Sequence, residues 1–362
     1  MIIISWNVRG LNKSHKQREV RKFLLKNKVD MIACLETRVR KQNAKDIQRK
    51  TGNEWKIEDN YEYAPNGRIW LMWKEVDVNV TVLEKTEQLI HCYVQDKNSA
   101  FTCYITYVYG LHTVQHRKSL WGNLKNVQLN DPWLIIGDFN SVLNVDDRIS
   151  GNTVQQVEVV DFQNCIEDIG VGQITKRGGN FTWCNKRDAE IRIYSHIDWA
   201  FGNAEWFNLY TGIEAHYMLP GCSDHTPIMI STEVQKMKVN RPYRLLTTVM
   251  KQVEYKEIVQ RIWKQRSGGD AMNTIQGKLN EDYFNAGLID DERKCLADIE
   301  KWEAVQEQIL RQKSRATWIQ VGDQNTKYFH ACEDHRTKAN STGVHPVLQA
   351  VDGESSRPNA RD

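Results

Sequence analysis

Carboxylates, amides and a histidine recur in this chain where apolar, strand-like runs stop. Trp133-Leu134-Ile135-Ile136 is such a run, and it ends in Gly137-Asp138-Phe139-Asn140. Ile2 to Val8 passes through Asn7, Met31 to Leu35 stops at Glu36, and Phe101 to Val108 stops at Tyr109. Tyr194 to Phe201 carries Asp198, and Ser223-Asp224-His225 precedes the last run, Ile228 to Glu233. Polar groups presented at sheet ends are a common place for chemistry. This set suits phosphodiester cleavage. Glu36, with Asn7 and one of the other acids, can hold a hard divalent cation through oxygen. The cation, Mg²⁺ or Mn²⁺, would neutralise charge developing at phosphorus. His225, oriented by Asp198, could contact the scissile phosphate or assist proton transfer. Asp138, with Asn140 beside it, could position and deprotonate the attacking water. Taken singly, each residue has a structural reading too: a turn-forming Asp, a cap at Ser223-Asp224-His225, a packed Tyr109, a β-forming Thr182.

The elements needed to hold these residues are legible. Ile2 to Val8, Met31 to Leu35, Trp133 to Ile136 and Ile228 to Glu233 read as strands. Runs over 68–74, 76–83, 89–95 and 101–108 follow one another with short turns, which predicts an antiparallel sheet. Helical spacing appears over 18–28 and 159–169, and helices are also expected in the charged stretch 40–51 and over 115–127. Gly137 allows a tight turn or a close backbone approach. After about residue 236 strand patterns vanish. Tyr255, Ile258, Val259, Ile262 and Trp263 predict one helix, and Leu296, Ile299, Trp302, Val305 and Ile309 a second, capped near Asp290. Residues 338–362 have no period and are expected to be disordered.

Composition excludes several classes. The 362 residues are 40% hydrophobic and 26% charged, as in a globular protein. No apolar run approaches the ~20 residues of a membrane span. Eight cysteines without a CxxC pair or zinc spacing suggest a reduced, intracellular protein. Net charge is only +3, so charge alone does not announce a polyanion partner.

The blocks Ser5-Trp6-Asn7-Val8-Arg9-Gly10, Leu35-Glu36-Thr37, Tyr107-Val108-Tyr109-Gly110, Gly137-Asp138-Phe139-Asn140, Phe181-Thr182-Trp183, Ser195-His196-Ile197-Asp198 and Ser223-Asp224-His225 occur in that order. Together they resemble the endonuclease/exonuclease/phosphatase superfamily. Within it, Trp6-Asn7-Val8-Arg9-Gly10-Leu11-Asn12 and Arg68-Ile69-Trp70-Leu71-Met72-Trp73 look most like the endonuclease domain of plant LINE-type (non-LTR) retroelement proteins. The resemblance covers residues 1–235. It implies a four-layer α/β/β/α sandwich of the DNase I type, two mixed sheets face to face with helices outside, and here a C-terminal helical extension.

It also implies roles. Glu36 and Asn7 would hold Mg²⁺, with Asp224 supporting the metal or the histidine. Asp138 would activate water or serve the leaving group, oriented by Asn140. Tyr109 would contact the phosphate, and Asp198 would orient His225 on it. Thr182, Arg9 and His196 would face DNA, His196 standing where the family commonly has Arg or Lys. The implied activity is Mg²⁺-dependent nicking of DNA by a monomer with no membrane partner, in the nucleus if active. The alternatives are a phosphatase of small phosphoesters or an inactive retroelement relic. Residues 236–337, with Gln312-Lys313-Ser314-Arg315 and Gly322-Asp323-Gln324-Asn325, resemble the helical connector before a reverse transcriptase, so a form truncated before that enzyme is expected.

Overall fold

The computed structural model describes residues 1–51, 54–127, 129–232 and 271–313. In chain order the elements are β1 (Ile2–Asn7), α1 (Ser14–Lys26), β2 (Met31–Leu35), α2 (Lys41–Thr51), β3 (Trp55–Asp59), β4 (Ile69–Lys74), β5 (Val78–Lys85), β6 (Leu89–Asp96), β7 (Thr102–Tyr109), α3 (Val114–Asn126) and β8 (Trp133–Asp138). There follow β9 (Arg148–Ile149), α4 (Gln156–Asp168), β10 (Val171–Gln173), β11 (Lys176–Gly178), β12 (Trp183–Cys184), β13 (Tyr194–Ser195), β14 (Asp198–Asn203), α5 (Ala204–Leu209), β15 (Ala215–Tyr217) and β16 (Ile228–Ser231). Among the described residues beyond them lie two helices, α6 over 271–279 and α7 (Ala286–Lys313).

Two large sheets form, in the orders β11-β15-β16-β1-β2-β4-β3 and β10-β14-β8-β7-β6-β5. Strand alternation sorts their side chains into layers. On β2, Met31, Ala33 and Leu35 join a core shared with Ile105 and Tyr107 of β7, while Ile32 and Cys34 face Val20 and Leu24 of α1. On β8, Leu134 and Ile136 enter the shared core, while Ile135 packs with Leu120 and Trp121 of α3 and Phe162 of α4. The order of layers is therefore helices, sheet, sheet, helices, the four-layer sandwich the sequence implied.

Several details differ from the sequence reading. The runs over 68–108 do not make one sheet: β4 pairs with β2 and β3, whereas β5, β6 and β7 form a meander in the other sheet. Alternation shows which faces are buried but not which sheet a strand joins. α7 begins before Asp290, because Asn285 Oδ1 accepts from the Leu288 amide at 3.1 Å. The segments predicted at 255–263 and 338–362 lie outside the described residues. Backbone proximity groups Met1–Glu303 into one compact unit and Ala304–Asp362 into a second. Among the described residues no helix is long and apolar enough to cross a membrane.

Candidate active site

Strand register gathers the polar ends. β1 and β2 are parallel, with Asn7 opposite Leu35, so Glu36 follows directly beside Asn7. β7 and β8 are also parallel, with Tyr109 opposite Asp138. β14 runs antiparallel to β8 and begins with Asp198 opposite Asp138. β16 pairs antiparallel with β1, which brings His225 to the same end.

The backbone is specialised here. A Cβ on Gly137 would lie 2.1 Å from the Val108 carbonyl oxygen, and one on Gly110 would lie 2.2 Å from that of Phe139. Only glycine permits β7 and β8 to end so close together. Arg9, Glu36, Arg38 and Asn140 all have positive φ, between 43° and 53°. Each such non-glycine conformation costs about 1 kcal/mol or more, and clusters of them mark sites held in place by their surroundings.

The side chains form a continuous hydrogen-bonded run. Asn7 Nδ2 donates to Glu36 Oε2 at 3.2 Å and to Asp138 Oδ2 at 2.8 Å, and lies 3.3 Å from His225 Nε2. His225 Nδ1 is 3.0 Å from Asp198 Oδ2. Asn140 holds Asp138 from the other side, its amide N–H on Oδ1 at 2.8 Å and its Nδ2 3.3 Å from Oδ2. Asn7 is itself fixed, because its Oδ1 accepts from the Arg9 amide at 3.0 Å. Tyr109 is buried, with its hydroxyl 3.5 Å from His112 Nε2 and the Arg68 guanidinium over its ring.

Charge is concentrated in this run. Asp138, Asp198, Glu36 and His225 are all buried. Burial, reinforced by Asp198, pushes the Asp138 carboxyl well above its ordinary range. Burial opposes the imidazolium of His225, but Asp198 and Asp138 outweigh it and raise that group. Burial likewise opposes the charge on Glu36. The Arg38 guanidinium and the Asn7 amide outweigh it, so Glu36 is held below the usual carboxylate range. Burial raises Tyr109, helped by the charges of Glu36 and Asp138.

The sequence profile of the Endonuclease/Exonuclease/phosphatase family matches residues 4–225, the span that carries every residue of this run. The chain belongs to that family. Its members are hydrolases, many of them nucleases, and typically use divalent metals. Among solved structures, the chain is similar to the endonuclease domain of TRAS1, a telomere-specific non-LTR retrotransposon, at 12% identity over 65% of this chain and 99% of that one, with a TM-score of 0.49. It is also similar to the AP endonuclease LMAP from Leishmania major, at 13% identity over 63% and 86%, TM-score 0.47. A beta toxin from Staphylococcus aureus matches at 11% identity over 64% and 100%, TM-score 0.47. No curated protein sequence matches the chain.

The residues of this family member fit a divalent cation. Asp138, Asp198 and His225 each bring one ligand atom within 4.8 Å of the others. Glu36 adds a third buried carboxylate, joined to Asp138 through Asn7 and paired on its outer side with Arg38. An oxygen-rich, negatively charged cluster of this kind suits a hard cation. Asp224 stands apart from the cluster. Its Oδ2 is held by the Arg9 guanidinium and accepts from Trp183 Nε1 at 3.1 Å.

Two residues expected to face DNA are interior. Thr182 is 1% exposed, and its Oγ1 accepts from the amides of Ile197 and Asp198, both at 3.0 Å, so it fixes the start of β14. His196 is 3% exposed, packs on Trp199 with ring centres 4.1 Å apart, and places Nδ1 2.7 Å from the Asn180 carbonyl. Burial lowers its pKa to about 3, so it is neutral. It borders a cleft of about 270 Å³ with Asp147 and Lys176. The adjacent Ile197 gave no sign of this, because both sides of the run are covered. Arg9 does reach solvent, with 41% of its side chain exposed. Arg38 and Trp183 were not foreseen. The clue to Arg38 was its place two residues after Glu36, though its positive φ is invisible in sequence.

Proposed function

We propose that the chain is a Mg²⁺-dependent phosphodiesterase that nicks DNA in the manner of retroelement-type endonucleases. The observation that carries this reading is the buried run Glu36–Asn7–Asp138–His225–Asp198, opening beside the exposed cations Arg9 and Arg38. The motif blocks Trp6-Asn7-Val8-Arg9-Gly10 and Arg68-Ile69-Trp70-Leu71 favour the retroelement group within the family.

In this reading Glu36 and Asn7 would hold the cation, which would supply Lewis-acid stabilisation of charge at phosphorus. Asp138, whose raised pKa makes it an effective base, takes a proton from the attacking water, and Asn140 fixes the carboxylate for that task. His225, oriented by Asp198, whose charge favours its imidazolium, donates to a non-bridging phosphate oxygen. The water oxygen bonds to phosphorus, the P–O3′ bond breaks, and the departing oxygen takes up the proton that Asp138 removed from the water, leaving a 3′-hydroxyl and returning Asp138 to its carboxylate. Tyr109 adds a donor at the phosphate, and Arg9 a contact to the DNA backbone. Residues 1–235 carry every catalytic residue, and the region 236–337 follows them as a connector. DNA is the partner, which places the active enzyme in the nucleus.

The test compares supercoiled plasmid, an abasic oligonucleotide and an inositol phosphate as substrates for the full chain with Mg²⁺. The reading expects turnover of plasmid at least about tenfold faster than of the small ester. Preference for inositol phosphate would overturn the DNA assignment.

A further inference from the structure

The family match ends at residue 225, yet two polar side chains well beyond it are buried against the site's supports: Gln276 of α6 is 3% exposed and Glu292 of α7 is 2% exposed. Burying such groups is costly unless they are fully partnered, so what they touch identifies what they are for. Glu292 Oε2 accepts from Arg192 Nη2 at 2.5 Å, and Oε1 accepts from Lys186 Nζ and, at 3.1 Å, from Gln276 Nε2. Arg192 is itself buried, donating from Nε to the Tyr194 hydroxyl at 2.8 Å. Gln276 completes the group with a two-point grip on the Gly221 backbone: Oε1 accepts from its N–H at 3.1 Å and Nε2 donates to its carbonyl at 3.2 Å.

Both anchor points lead to the catalytic run. Gly221 opens the loop that carries Ser223, Asp224 and His225, and Ser223 Oγ donates to the Asn7 carbonyl at 2.7 Å. Lys186 and Arg192 lie within the connection between β12 and β13. Just before it, Thr182 fixes the Asp198 amide, and Trp183 Nε1 donates to Asp224. The two segments are tied together, since the Thr226 amide donates to the Thr182 carbonyl at 2.7 Å. Tyr283, between α6 and α7, packs on Phe181 and Tyr194 with ring centres 5.2 and 4.9 Å apart.

We propose that residues 271–303 form a brace that holds the His225 loop and the β12–β13 hairpin in register, with Gln276 and Glu292 as positioning residues of the active site. Neither touches the reacting atoms. They act through Gly221 and through Arg192, and the catalytic unit is incomplete when cut at the end of its last strand. The effect on rate rests on the nuclease reading above. The effect on the loop does not.

The experiment uses the full chain and the substitution Gln276→Met, which keeps side-chain length and removes both bonds to Gly221. Amide hydrogen exchange is followed at 221–226 and, as an internal reference, at β1 and β8, beside steady-state plasmid nicking with Mg²⁺. The brace predicts exchange at 221–226 faster by about tenfold or more with β1 and β8 unchanged, which reports local opening. It also predicts kcat lowered by about tenfold to 10²-fold with KM retained, the scale of a small misplacement of catalytic groups. Glu292→Gln, which keeps an acceptor for Arg192, falls between wild type and Gln276→Met on both readouts. Unchanged exchange at 221–226 overturns the brace, as does faster exchange with kcat unaltered. If the wild type nicks no DNA, the exchange arm alone decides the brace, and that failure belongs to the nuclease reading.

Discussion

Asn7 donates to Asp138 at 2.8 Å, and the two residues stand at the ends of strands in different sheets. That one bond ties the facing halves of the sandwich at the point where their polar ends meet. Replacing Asn7 with Ala removes the donor shared by Glu36 and Asp138 and leaves two buried carboxylates without it. Single-turnover plasmid nicking by Asn7→Ala is expected to slow by about 10²-fold, with the fold retained by circular dichroism. A rate within twofold of wild type would remove Asn7 from the machinery.

Asp198 does for His225 what Asn140 does for Asp138: it fixes and charges its neighbour. The Asp198 and Asp138 carboxylates raise the imidazolium pKa against the effect of burial. A reaction that needs the cation is therefore retained below the raised value and lost as pH rises through it. Asp198→Asn takes away the largest support for the charge, so the alkaline fall in kcat/KM moves to lower pH. The maximal rate drops by about 10²-fold or more. A pH profile of Asp198→Asn superimposable on wild type would contradict the pairing.

Thr182 shows a structural role where the motif suggested a DNA contact. Its hydroxyl oxygen accepts two backbone amides at the start of β14. Thr182→Val leaves both amides buried and unpaired, a loss of about 1–3 kcal/mol in urea unfolding. Thr182→Ser keeps the acceptor and is expected to recover most of that stability. Equal destabilisation by both substitutions would contradict this role, because serine keeps the acceptor oxygen that valine lacks.

His196 makes the fold acid-sensitive. Its folded pKa is lowered to about 3 by burial, against about 6.5 for an unfolded chain. Between those values the unfolded chain binds a proton that the folded one refuses. Stability is thus full above about pH 6.5 and is lost progressively as pH falls. His196→Gln removes this term, and the drop in unfolding free energy between pH 6.5 and 4.5 shrinks by about 2 kcal/mol. An identical pH dependence in the two proteins would mean that His196 is not held neutral.

The strand-end acids were legible because each ends an apolar run, and parallel β1–β2 and β7–β8 pairs deliver such ends to one place. Gly137 was legible for the same reason, as the residue that lets β8 approach Val108. Short elements without a hydrophobic run, such as β10 and β11, were not, since two or three residues carry no period. Thr182 and His196 were misplaced because a motif fixes position along the chain and not which way a side chain faces. Asp224 adjoins His225 in sequence, yet its carboxylate turns to Arg9 and Trp183. The part played by Gln276 and Glu292 was hidden, because a polar residue on a helix reads as solvent-facing until its partners are known.

The most direct test of the central claim is nicking of supercoiled plasmid by the full chain, with Mg²⁺, with EDTA, and by Glu36→Ala. The account predicts open-circular product with Mg²⁺ and none with EDTA. It predicts a rate at least about 10²-fold lower for Glu36→Ala, with the unfolding temperature of the variant confirming a folded protein. Nicking that persists in EDTA, or that Glu36→Ala leaves intact, would contradict it.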